Sequence, residues 1–354
     1  MNHTPETQKV REGEELDIAK VEKFLQQNFA ELSKTTLQVR QFGAGHSNLT
    51  YELKMGDWEA VLRRPPKGPV APKAHDMKRE YKIMEALHEV YPLTPKPYAL
   101  NEGDVLGKPF FIMERRHGLV FNTEFPEGVE GSSVLGRKLS ETMVKRLAEL
   151  HAIDYERTGL RHMVKPEGFM ERQVHGWIKR YDNAMTDDVV NADRLKEWML
   201  ENLTQSAEAC IIHYDYKLNN AMFDESGEMV GLFDWEMTTV GDPLADLGAA
   251  MSYWIEHDDP KLLQTGLGSP PLTVKPDFYT RNEFIEAYAA ESGRDVENIH
   301  FYLTFAYFKL AGIIQQIYYR YKKGQTNDPR FARMNEFVNN LIQHAERTAG
   351  ISDE

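Results

Sequence analysis

The chain has 354 residues and a formal net charge of −13, from 42 Lys and Arg against 55 Asp and Glu; the length suggests about two domains, and the acidic balance argues against a general nucleic-acid binder. With 41% hydrophobic residues, no apolar run of about 18 and a polar first twenty residues, the composition predicts a soluble protein without a membrane span or secretory leader. One cysteine, Cys210, excludes an internal disulfide and the usual cysteine-based zinc clusters, and fits a reducing, cytoplasmic setting.

Residues 1 to about 15 read as a loose polar tail. A helix follows in ELDIAKVEKFLQQNFAEL, where Leu16, Val21, Phe24, Leu25 and Phe29 recur near helical spacing. TLQVRQFGAGHSNLTYELKMGDWEAVLRRPP then reads as strand, glycine turn, strand, the turn MGD and a third strand, stopped by Pro65 and Pro66. PKAHDMKREYKIMEALHEV predicts a helix with Tyr81, Ile83, Met84 and Leu87 on its apolar side, and KPFFIMERRHG a short buried strand. Residues 1–114 are thus expected to form a small antiparallel sheet with one main helix. Residues 115–354 are expected to be mainly helical. GRKLSETMVKRLAELHAID and RNEFIEAYAAES are amphipathic, FYLTFAYFKLAGIIQQIYYRYKK is apolar nearly all round, and RFARMNEFVNNLIQHAERTA closes the chain. A β-hairpin around Gly227, AMFDESGEMVGLFDWE, is set into this helical part. A β-rich lobe followed by a helical lobe suggests a ligand cleft between the two.

The densest polar cluster inside apolar sequence is IIHYDYKLNNAMF, residues 211–223. By itself it reads as a buried hydrogen-bond network, a metal site or a catalytic loop. The hairpin is expected to bring Asp234 back beside Asn220. Both offer hard oxygen atoms that suit Mg²⁺ carrying substrate phosphates, which leaves Asp215 to accept a proton from an attacking hydroxyl. Phosphoryl transfer asks the protein mainly for positioning and charge neutralisation, so one base, two metal ligands and a cationic clamp suffice. Taken singly, Asp215 reads equally well as a cap for a backbone N–H, Asn220 as a turn residue and Asp234 as a strand end.

The pattern His213-x-Asp215-x4-Asn220 followed by Asp234-Trp235-Glu236 resembles the aminoglycoside phosphotransferase and choline kinase-like family. Protein kinases carry H-R-D-x-x-x-x-N and D-F-G; HYDYKLNN and DWE are nearer the small-molecule kinases, and VGDPLADLGAAMSYW continues the likeness. The similarity runs from VRQFGAGHSNLTYEL to QQIYYRYKKG and is nearest the branch found as kinase-like domains attached to some acyl-CoA dehydrogenases. It implies an α+β, two-lobed protein-kinase-like fold, with a small antiparallel sheet and one main helix in the first lobe. The second lobe is then larger and mostly helical, with a catalytic hairpin.

The resemblance also implies roles. Asp215 matches the catalytic base, Asn220 and Asp234 the Mg²⁺ ligands, and His213 a residue that supports the loop by hydrogen bonds. Lys217 stands where a lysine neutralises charge on the transferred phosphoryl group. Gly43 and Gly45 fall in the nucleotide-covering turn, where backbone N–H groups of His46, Ser47 and Asn48 meet phosphate; the turn is neither a Walker A motif nor a full G-x-G-x-x-G. The usual third-strand lysine is replaced by Arg63, expected to face the cleft and pair with Glu80. The backbone at Glu114 and Arg115 is expected to meet adenine, with both side-chain charges solvated. Asp242 and Asp246 read as a helix start, Asp242 as N-cap before Pro243. The implied cofactors are ATP and Mg²⁺ and the partner is a small hydroxylated molecule, with no membrane or nucleic acid. The acceptor is open between an aminoglycoside, a hydroxyacyl compound, a sugar and an amino alcohol. A nucleotide-binding pseudokinase is favoured only by the missing lysine. A metal-dependent hydrolase using His213, Asp215 and Asp234 leaves the glycine turn and the arginine strand without a purpose.

Overall fold

The computed structural model describes residues 7–32, 35–43, 48–66, 75–129, 131–206, 208–266 and 268–352. They fall into two compact units. One holds the chain up to Gly118 together with Glu156–Leu160 and Val230–Thr238; the other holds Leu119–Tyr155, Arg161–Met229 and the chain from Thr239 on. This division differs from a cut after residue 114, because Val230–Thr238 belong with the first unit. There Arg79 donates to the carbonyls of Glu236 (2.8 Å) and Thr238 (2.5 Å).

The first unit is built on an antiparallel sheet of β1 (Thr7–Gln8), β2 (Gln38–Phe42), β3 (Leu49–Met55), β4 (Trp58–Arg64), β5 (Pro97–Asn101) and β6 (Phe110–Glu114), in the order β1-β2-β3-β4-β6-β5. Its helices are α1 (Ile18–Asn28) and α2 (Met77–Leu87). Alternation along β4 decides what each face carries. Ala60 and Leu62 join Val21, Phe24 and Leu25 of α1 in one core, with Leu53, Phe110 and Ile112. Arg63, between Leu62 and Arg64, turns to the opposite face, where it meets α2. That helix is capped by Asp76, whose side chain accepts from the Arg79 N–H, and buries Met77, Glu80, Ile83, Met84 and Leu87. Glu80 therefore lies within an apolar helical stripe, at i, i+3, i+4 and i+7 from its neighbours. Burial of Ile83, Met84 and Leu87 contributes roughly 1.5–3 kcal/mol each, and Leu87→Ala removes about 2–5 kcal/mol.

The tail expected over residues 1–15 is corrected from Thr7 onward. β1 pairs with β2, Arg40 donates to the Thr7 hydroxyl (2.9 Å) and carbonyl (2.7 Å), and the Tyr51 hydroxyl donates to the Glu14 carbonyl (2.6 Å). The order comes from polar groups satisfying a sheet edge, which hydrophobic patterning does not register.

The second unit comprises β7 (Leu119–Val120), α3 (Ser133–His151), α4 (Phe169–Asn183), α5 (Asp193–Glu201), β8 (Cys210–Ile212), β9 (Ala221–Phe223), β11 (Thr239–Gly241), α6 (Pro243–Tyr253), α7 (Lys261–Thr265), α8 (Arg281–Ser292), α9 (Ile299–Lys322) and α10 (Met334–Thr348); β10 (Met229–Leu232) carries the chain back to the first unit. Its core gathers Phe301, Phe305, Phe308 and Ile314 of α9 with Met170 and Val174 of α4 and Leu341 and Ile342 of α10. α9 is buried on most sides, as its all-round apolar sequence predicts. Two short antiparallel ladders, β7 with β9 and β8 with β11, frame the polar segment. The turn after β9 has Gly227 at φ 80°, with the Asp224 side chain accepting the Ser226 and Glu228 N–H groups. No helix among the described residues is long and apolar enough to cross a membrane.

Candidate active site

β8 delivers the chain to His213 and then to Tyr214, which takes φ 65°. A tyrosine in the left-handed region is strained by about 1–3 kcal/mol and persists only where its surroundings hold it. Here the holder is Asp246, in the first turn of α6. Its carboxylate accepts the N–H of His213 (2.7 Å) and of Tyr214 (2.8 Å), and His151 Nε2 lies 3.1 Å from Oδ2. Burial opposes the Asp246 charge, but His151, His213 and the Tyr214 amide outweigh it and hold the carboxyl below its ordinary range. The His213 ring, fully buried, accepts the Asp215 N–H at Nδ1 (3.3 Å), and the Tyr216 hydroxyl donates to the Met143 carbonyl of α3 (2.8 Å).

With its backbone so fixed, the loop presents the Asp215 carboxylate to side chains. Lys217 Nζ stands 3.0 and 2.9 Å from its two oxygens, and Asn220 Nδ2 donates to Oδ2 (2.8 Å) and to the Asp215 carbonyl (2.9 Å). The Asp215 side chain is 16% exposed, so it remains reachable. Asn220 spends its amide N–H groups on Asp215, which leaves Oδ1 as a hard oxygen donor.

The first unit holds the other carboxylates. Asp234 takes φ 67°; Arg63 Nη2 donates to its Oδ1 (2.5 Å), and Arg63 Nε lies 3.2 Å from Glu80 Oε2. Burial disfavours the Arg63 charge, yet Glu80, Asp234 and Glu236 together reverse that and raise its pKa. Burial, reinforced by Asp234 and Glu236, pushes Glu80 up against the pull of Arg63. One guanidinium thus faces three carboxylates. Glu236 Oε2 accepts from Asn48 Nδ2 (3.1 Å), and Asn48 Oδ1 is 2.8 Å from His75 Nδ1. Of the four described non-glycine residues with positive φ, His75, Tyr214 and Asp234 all belong to or adjoin these two groups.

Of the glycine turn, Gly43 and Asn48 are described, whereas Gly45, His46 and Ser47 lie outside the described residues. A Cβ at Gly43 would meet nothing within 4 Å. The Glu114 carboxylate accepts from the Lys96 N–H and from Arg116, both at 2.9 Å. Arg115 requires a correction. Its charge was expected in solvent, but its side chain is 5% exposed, stacked 4.8 Å above the Phe42 ring with Nε 3.5 Å from Glu52. A flat guanidinium buries readily on an aromatic face beside a carboxylate.

The sequence reading placed Asp246 at a helix start without seeing that it anchors the loop; the available signal was an acid inside the apolar run PLADLGAAM. Asp242 does cap α6, accepting the Leu244 N–H (2.8 Å). Among the described residues, no three His, Cys, Asp or Glu side chains gather as a metal site.

A model of the phosphotransferase enzyme family matches residues 38–270. The chain belongs to that family. It has the α+β, protein-kinase-like fold expected from the sequence. Among solved structures, a Ralstonia eutropha protein assigned to the aminoglycoside phosphotransferases superposes with a TM-score of 0.80 at 26% identity, covering 96% of this chain and all of that one. Choline kinase from Cryptosporidium parvum shares the fold, with a TM-score of 0.65 at 12% identity, over 94% of this chain and 95% of that one. Acyl-CoA dehydrogenase family member 11 of Rattus norvegicus is 32% identical over 92% of this chain and 42% of its own length. Family member 10 of Mus musculus is 29% identical over 96% of this chain and 32% of its own length. The chain thus spans less than half the length of these two curated relatives.

Proposed function

We propose that the chain transfers the γ-phosphate of ATP to a hydroxyl of a small molecule, with Asp215 as the base. The observation that carries this reading is the Asp215 loop, whose backbone is fixed by Asp246 while its carboxylate is left to Lys217 and Asn220. Asp215 aligns the acceptor O–H and takes its proton as the new O–P bond forms and the bond from Pγ to the ADP oxygen breaks. A positioned base of this kind contributes about 10²–10⁴-fold in rate. Lys217, already paired with Asp215, neutralises charge on the group in transit.

Asn220 and Asp234 would hold Mg²⁺. Each brings a donor that suits a hard cation: Asn220 an amide oxygen that makes no hydrogen bond among the described residues, and Asp234 a carboxylate in a cluster where one guanidinium faces three acids. When bound, the ion supplies charge neutralisation on the phosphate oxygens. Arg63, oriented by Glu80, serves as the phosphate clamp in place of lysine, and Asn48 at the end of the glycine turn is steadied by Glu236. The backbone at Glu114 and Arg115 receives the base of the nucleotide. The names of the curated relatives favour a hydroxylated acyl compound as acceptor.

The test is transfer of labelled γ-phosphate from Mg-ATP to a panel of hydroxyacyl compounds, aminoglycosides, sugars and amino alcohols, beside Asp215→Ala. A labelled product that the variant does not form supports the reading. A product formed equally by both removes Asp215 as the base.

A further inference from the structure

Lys309 stands in the middle of α9 between Phe308 and Leu310, in one of the most apolar stretches of the chain, and is 5% exposed. Its Nζ lies 3.1 Å from the centre of the Tyr214 ring. Among the described residues it makes no hydrogen bond or ion pair. Burial pushes its pKa down to about 7, against the attraction of Asp215 and Asp246 and with added repulsion from Arg180 of α4. A buried, unpaired ammonium is costly, and an apolar side chain of similar volume would fill the same space without that cost. The core gains nothing from the charge.

The surroundings of the charge belong to the loop that presents Asp215. Tyr214 is the strained left-handed residue immediately before it. The Tyr214 hydroxyl reaches Gln173 Oε1 (3.4 Å), its ring packs 5.9 Å from that of Phe169, and its N–H is held by Asp246. The ammonium sits over the ring itself. A desolvated cation on an aromatic face is worth enough to offset the strain of one left-handed residue.

We infer that Lys309 is a positioning residue for the proposed transfer, its ammonium holding the Tyr214 ring and with it the left-handed turn that presents Asp215. This rests on Asp215 being the base.

The experiment compares the full-length wild type with Lys309→Met, Lys309→Arg, Tyr214→Leu and the Lys309→Met/Tyr214→Leu pair. Three readouts are taken: the thermal midpoint, the KM for Mg-ATP, and kcat for release of inorganic phosphate from Mg-ATP, with water as acceptor. Lys309→Met is expected to keep or raise the midpoint and hold KM within about twofold, while kcat falls at least about tenfold. Lys309→Arg restores part of kcat. The double variant loses no more kcat than the worse single one, because both act through one contact. Unchanged kcat in Lys309→Met, or additive losses in the pair, overturns the inference. A wild type that neither releases phosphate nor labels any member of the acceptor panel contradicts the kinase reading itself, and this inference falls with it; where only panel transfer is seen, kcat is read from that transfer, and a live wild type with an unaffected Lys309→Met overturns the inference alone.

Discussion

The Asp215 loop and the Asp234 cluster hold their carboxylates by opposite means. Around Asp215 the work is done by backbone: two consecutive N–H groups on Asp246, one on His213, and a tyrosine hydroxyl on α3. Around Asp234 it is done by charge, with Arg63 facing Glu80, Asp234 and Glu236. Backbone bonds fix a geometry without consuming the charge of the carboxylate they present. An ion cluster rich in acid leaves a deficit that a cation can fill. In the proposed function the first region aligns the base and the second receives the metal with its phosphates.

Substitutions can break this contrast. The largest effect is expected at Asp215. Asp215→Ala should lower kcat by about 10²–10⁴-fold with the thermal midpoint nearly unchanged, since its partners Lys217 and Asn220 remain partly exposed; phosphate release and calorimetry on the same samples check both. In the charge-held region, Arg63→Met should instead cost stability, about 3–5 kcal/mol, because it strands Glu80 among buried groups. Adding Glu80→Gln should recover much of that loss in urea unfolding. Asp246→Asn, which keeps one acceptor and loses the other, should cost roughly 1–3 kcal/mol and lower kcat while leaving the KM for Mg-ATP in place.

The smallest effect lies in neither region. His344 on α10 sits edge-on to Tyr307 of α9, ring centres 4.5 Å apart, and burial lowers its pKa to about 4. Between the ordinary histidine value and pH 4 the unfolded chain binds a proton that the folded chain refuses, so stability falls as pH falls through that window. His344→Gln should flatten the acid side of a midpoint-versus-pH curve without touching kcat.

Periodicity made α1, α2, α3, α8, α9 and α10 legible, and the spacing of Asp215, Asn220 and Asp234 supplied the roles proposed for them. Strands of two or three residues, such as β7, β8 and β11, carry no readable period. α4 and α5 begin at Gly168 and Ala192 in left-handed conformation without a side-chain cap, so no start signal announced them. The role of Asp246 was hidden because its partners lie 33 and 32 residues upstream and are backbone groups, which leave no residue-type signature. The burial of Arg115 was hidden for a related reason: whether a charge is solvated depends on the ring and carboxylate that fold over it.

The central claim is the division of labour between Asp215 and Asp234. It is tested most directly by titrating wild type, Asp215→Ala and Asp234→Ala with ATP in a calorimeter, with and without Mg²⁺. Wild type and Asp215→Ala should show the same gain in ATP affinity from Mg²⁺, and Asp234→Ala should lose it. Loss of that gain in Asp215→Ala, or its survival in Asp234→Ala, would contradict the account.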